Sequence, residues 1–164
     1  MKKTFAIILL IFLAVNISAQ ETKLYNPNTD AAKDIDAAIS KAKSEHKYVL
    51  IQGGGNWCSW CYEFVKFSKA DLQIDSVINT SFVWYHLNYS KENENKKIMT
   101  NYGFPQRFGF PVFIILNELG ERIHTQNSEY LENGKKSYDK SKVLSFLEMW
   151  SPGAFDPKIY EKNG

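Results

Sequence analysis

Cysteine is nearly absent from this 164-residue sequence. There are two, and histidine contributes only three side chains. A structural zinc ion wants four ligands, usually two C-x-x-C pairs or one such pair with two closely spaced histidines. His46, His86 and His124 are widely separated and repeat no ligand spacing, so no metal is expected. An excess of one charge is missing as well. The 20 basic and 18 acidic side chains are scattered rather than clustered, which argues against nucleic acid or an anionic membrane surface as partner. Internal repeats are not visible. With 44% hydrophobic and 15% aromatic residues, the chain can bury one globular core without disulfide staples and is not of disordered composition.

Long apolar runs are also lacking, with one exception. Lys2 and Lys3 precede an almost unbroken apolar stretch from Phe5 to Val15, followed by "NISAQ". Spanning a bilayer takes roughly 20 apolar residues, and this run is too short. A charged start, a short apolar centre and a small residue, Ala19, make residues 1–19 a signal peptide with its cut before Gln20. No cysteine lies at that cut, which argues against a lipoprotein. Removing Lys2 and Lys3 leaves 18 charges of each sign and no net charge. The expectation is therefore an exported, periplasmic protein with no stable membrane insertion after cleavage, acting as a monomer.

What is present is concentrated in "GGGNWCSWCYEF", residues 53–64, which holds both cysteines. Cys58 and Cys61 could be a redox pair, half of a metal site or a structural staple. Export puts them where disulfides persist. A staple that encloses two residues, however, removes little entropy from the unfolded chain. That favours chemistry over stabilisation.

Residues 20–29 read as an irregular lead-in, and an amphipathic helix begins at Asn28 or Thr29 and ends near His46. "YVLIQ" (48–52) suits a strand buried on both faces, broken by the three glycines that follow. A helix from the cysteines to about Lys69 comes next, then a helical piece over "LQIDSVIN". "FVWYHLN" (82–88) is a strand, and a polar segment leads to a short helix ending at Tyr102–Gly103. "PVFIIL" (111–116) and "ERIHTQ" (121–126) flank the tight turn "NELG". A last helix carries Val143, Phe146, Leu147 and Trp150 on one face. A tail from residue 151 to 164 closes the chain, with Phe155, Ile159 and Tyr160 as candidates to pin it. This alternation implies an α/β fold, a mixed central sheet flanked by helices on both faces. The loop after the first core strand lies at a carboxyl end of that sheet, where such folds place their sites.

A C-x-x-C at a helix start has a physical consequence. The first sulfur sits beside unsatisfied backbone N–H groups and the positive end of the helix dipole, so its thiolate is favoured. The second lies one turn on. Cys58 can then attack a substrate disulfide and Cys61 can release the product, with no cofactor. Trp57 and Trp60 either pack on the core or form an apolar rim for substrate. Trp60, between the cysteines, is the better candidate for exposure.

"VLIQGGGNWCSWCYEF" and "FGFPVFIILNELGERI" resemble the thioredoxin superfamily over residues 30–150, and most nearly its exported thioredoxin-like members and the periplasmic C-terminal domain of the transmembrane disulfide reductase. The resemblance implies a thioredoxin fold with Cys58 as nucleophile and Cys61 as resolving thiol. It also implies a cis-proline, Pro111, presenting the backbone of Phe110 to an extended substrate. Two departures stand out. "PQRF" lengthens the segment between Tyr102 and Pro111 by about three residues. Gln52 and His86 occupy the positions where thioredoxins carry a buried aspartate and its lysine. A neutral amide–imidazole pair avoids the cost of burying two charges. The two are expected to face each other behind Cys61, with His86 receiving its proton.

The function expected is thus an exported thiol–disulfide oxidoreductase that reduces or exchanges protein disulfides and is served by an upstream redox partner. An oxidase or isomerase with the same residues is the first alternative, since direction follows from reduction potential against the compartment. A binding or chaperone-like module with an inert disulfide is the second.

Overall fold

The computed structural model describes residues 23–161. The signal segment expected over residues 1–19 lies outside them. Asp30 caps the first helix, α1 (Ala31–Ser44), by accepting the Lys33 backbone N–H. Asp34 in the first turn and Lys41 and Lys43 in the last complement the helix dipole. The helix starts a little later and ends two residues sooner than its apolar pattern predicts, because His46 turns the chain at a φ of 55°.

Strand β1 (Tyr48–Gly54) is buried along all but its first residue. It is a central strand, in the order β2-β1-β3-β4. It pairs in parallel with β2 (Phe82–Asn88) and antiparallel with β3 (Val112–Leu116), which forms a hairpin with β4 (Arg122–Asn127). The hairpin turn is held by Asn117, whose side-chain oxygen accepts the N–H groups of Leu119 and Glu121.

Between β1 and β2 run α2 (Ser59–Ala70) and α3 (Leu72–Ser81). Asp71 ends the first and caps the second, accepting from Gln73 and Ile74. A short helix, α4 (Lys96–Asn101), precedes one 3-10 turn at Pro105–Phe108, the "PQRF" of the lengthened segment. Helices α5 (Lys140–Met149) and α6 (Lys158–Glu161) complete the described chain. In the tail, Phe155 meets Tyr48 and Trp150, at ring separations of 6.0 and 6.1 Å, and Tyr160 Oη donates to the Ala154 carbonyl at 2.8 Å; all three candidates keep much of their surface exposed.

Alternation along the strands gives the sheet two cores. Leu50, Phe113 and Ile115 face α2, α3 and α5 through Phe64, Ile74, Ile78, Val143 and Leu147. Val49, Ile51, Ile114 and Leu116 face α1 and α4 through Ile35, Ala38, Ala42 and Met99. Fully burying one such aliphatic side chain contributes about 1.5–3 kcal/mol. These two layers fix β1, and so fix where its carboxyl end delivers the next residues.

Candidate active site

Beyond Gly54 the chain turns into α2. Cys58 is the N-cap residue, with φ −93° and ψ 97°, and its sulfur accepts the Cys61 backbone N–H at 3.1 Å. Cys58 and Cys61 are joined as a disulfide, with S–S 2.04 Å and Cα–Cα 5.3 Å. Cys61 is fully buried and Cys58 nearly so, at 5% exposure, so of the two the first cysteine lies nearer the surface. Its position at a twelve-residue helix start favours the thiolate when the bond opens.

Of the two tryptophans it is Trp57, and not Trp60 as expected, that is the more exposed. Trp57 is 60% exposed. Its Nε1 donates to the Tyr89 carbonyl at 2.9 Å, and its ring meets Phe110 edge-on at 5.4 Å. Phe110 also stacks on Tyr89 at 5.0 Å. Trp60 is half-buried and leans on Tyr138, ring to ring at 5.4 Å, because Trp60, Phe64 and Phe67 share a helix face that Tyr138 covers. Phe110–Pro111 is a cis peptide bond. Leu24, Trp60 and Phe110 pack against the cluster that Tyr25 forms with Cys58 and Cys61.

Gln52 and His86 are register partners on β1 and β2, but no hydrogen bond joins them. The amide nitrogen of Gln52 donates to the Tyr25 hydroxyl at 2.8 Å and to the Cys61 carbonyl at 3.1 Å. Gln52 Oε1 and His86 Nε2 are both buried without a partner. Burial holds the His86 imidazole down to about 4, so it stays neutral and does not titrate near pH 7. No hydrogen bond links His86 to Gln52, and burial disfavours the charged imidazole.

Tyr25 is the residue that sequence reasoning missed. It lies in the lead-in, yet it is fully buried and forms one packed cluster with the two cysteines. Its ring meets His86 edge-on at 5.7 Å. A lone aromatic in "KLYNPN" has no periodicity to mark it as core. Among the described residues, no group of three or more metal-ligating side chains comes together.

A family model described as a thioredoxin-like domain matches residues 35–131. The thiol:disulfide interchange protein DsbD of Pseudoalteromonas atlantica is 26% identical over 120 residues, covering 69% of this chain and 19% of that protein. The chain thus spans about a fifth of the length of that curated relative. Among solved structures, a disulphide isomerase from Xylella fastidiosa Temecula1 superposes with a TM-score of 0.65 at 24% identity, covering 76% of this chain and 93% of that one. The oxidised C-terminal domain of DsbD from Neisseria meningitidis gives 0.55 at 16% identity, covering 74% and 97%. These two share the fold.

Proposed function

The chain belongs to the thioredoxin-like domain family, and from that premise we propose that it is an exported thiol–disulfide oxidoreductase acting on protein disulfides. The observation that carries this reading is Cys58, bonded to Cys61 and capping α2, the less buried member of the pair. A disulfide that encloses two residues stabilises little. One placed on a helix N-terminus has a first sulfur suited to attack.

In the reducing direction, the Cys58 thiolate attacks one sulfur of the substrate disulfide. The other substrate sulfur leaves and takes up a proton. Cys61 then gives up its proton and attacks Cys58 Sγ, which closes the protein disulfide and expels the second substrate sulfur as a thiol. Two electrons and two protons pass to the substrate. An upstream dithiol partner restores the reduced state.

Trp57, Phe110 and Pro111 form the apolar side of the substrate path, with Trp60 bracing it from the helix. An extended, apolar segment fits that rim better than a small soluble disulfide does. The n-region and apolar stretch of residues 1–19 support export to the periplasm. No helix among the described residues is long and apolar enough to cross a membrane.

Trapping tests the reading. Reduced Cys61→Ser should accumulate a mixed disulfide with insulin or with a protein carrying scrambled disulfides, through Cys58. Cys58→Ser should accumulate none. Equal trapping by both variants, or by neither, would refute it.

A further inference from the structure

The N-terminal segment is built into the site rather than leading up to it. The side chain of Asn56, two residues before Cys58, pairs with both backbone polar groups of Tyr25. Tyr25 N donates to Asn56 Oδ1 at 3.0 Å, and Asn56 Nδ2 donates to the Tyr25 carbonyl at 2.7 Å. Asn93 Nδ2 holds the Pro27 carbonyl at 3.0 Å. Tyr62 Oη donates to Asn56 Oδ1 at 2.9 Å and accepts the Leu24 N–H at 3.3 Å. Four separate side-chain contacts therefore fix where the Tyr25 ring enters.

The hydroxyl arrives beside the resolving sulfur. A Cβ built on Gly54 would lie 2.4 Å from Cys61 Sγ and 2.7 Å from Tyr25 Oη, so the two atoms border one small space that only glycine leaves open. The Cys61 carbonyl can only accept a hydrogen bond, which fixes the Gln52 amide with its nitrogen inward. The Tyr25 oxygen is consequently an acceptor towards Gln52, and its own proton is available to a second acceptor. Burial raises the phenol's affinity for that proton. A fully buried thiolate at Cys61 is costly unless something donates to it.

We propose that Tyr25 donates its phenolic hydrogen bond to Cys61 Sγ once the disulfide opens, stabilising the thiolate that resolves the mixed disulfide. The inference rests on the exchange reading above and assigns the resolving half of that reaction. Tyr25 keeps its proton throughout. The Cys61 proton passes to water and is replaced, on balance, by the one taken up at the departing substrate thiol. The Cys61 electron pair forms the new bond to Cys58 as the bond from Cys58 to substrate breaks.

The test needs no substrate in its first arm. In a Cys58→Ser background, Cys61 is titrated by thiolate ultraviolet absorbance, with and without Tyr25→Phe. The expected result is a pKa higher by about one unit in the phenylalanine variant, or about tenfold less thiolate at a given pH. With both cysteines present, Tyr25→Phe should slow release from a preformed mixed disulfide about tenfold and leave alkylation of Cys58 unchanged. A fluorinated tyrosine installed at position 25 keeps the shape and strengthens the donor, so it should lower the Cys61 pKa, which a packing role would not do. That arm decides the matter alone if Tyr25→Phe does not fold. An unmoved Cys61 pKa, or release within about twofold of wild type, overturns the proposal. Failure of the wild-type protein to exchange disulfides at all would instead overturn the function reading and leave the titration standing.

Discussion

Cys58 Sγ accepts the backbone N–H of Cys61 at 3.1 Å, so the first cysteine caps the helix that carries the second. An N-cap sulfur that already accepts one donor gains most from becoming a thiolate. In the reduced protein, iodoacetamide should label Cys58 first, with a pKa below the ordinary thiol value of about 8.5. Mass mapping of the labelled peptide checks this, and preferential labelling of Cys61 would contradict the assignment of roles.

Gly54→Ala should be costly for a reason that backbone freedom does not supply. Its new methyl would collide with Cys61 Sγ and Tyr25 Oη. Over-packing a rigid site of this kind costs about 1–3 kcal/mol. A urea melt should read that loss, and product release from the mixed disulfide should slow with it. A variant as stable and as fast as wild type would mean that the sulfur and the hydroxyl do not close the space beside Gly54.

Trp57→Ala should separate binding from stability. The side chain is 60% exposed and contributes one hydrogen bond, to the Tyr89 carbonyl. Its loss should cost about 1 kcal/mol of stability or less, while KM for an unfolded protein disulfide rises several-fold. A small disulfide such as oxidised glutathione should be reduced nearly as before. Equal loss on both substrates would remove Trp57 from the substrate path.

His86 predicts a pH effect on stability. Its imidazole is lowered from about 6.5 to about 4 by burial. Between those values the unfolded chain binds a proton that the folded chain refuses. Stability is therefore fully present above pH 6.5 and declines as pH falls towards 4. Urea midpoints across that window should show the decline in wild type and a shallower one in His86→Gln. Identical slopes would contradict the buried, neutral histidine.

Much of this arrangement is legible in the sequence because it rests on local signals. "FVWYHLN" is a strand from Phe82 to Asn88 as written, since β-branched and aromatic residues between polar segments leave few alternatives. The cis Phe110–Pro111 bond follows from resemblance, as nothing in an isolated X–Pro pair specifies it. Tyr25 is different. Its partners Gln52 and Asn56 lie 27 and 31 residues away, and no periodicity spans that gap. The partial burial of Trp60, expected to be the more exposed tryptophan, has the same origin. It depends on Tyr138 covering the α2 face from 78 residues further along the chain. Gln52 and His86 are register partners as read, but no hydrogen bond joins them, because the amide is taken by Tyr25 from the segment read as a lead-in.

Whether the disulfide is a working redox couple or an inert staple is decided most directly by equilibrating the folded protein in glutathione buffers and trapping free thiols at each ratio. The account predicts one reversible two-electron transition, with the fold retained on both sides and rapid reduction of insulin by the reduced form. A Cys58–Cys61 bond that opens only when the protein unfolds, or a dithiol that leaves insulin untouched, would contradict it.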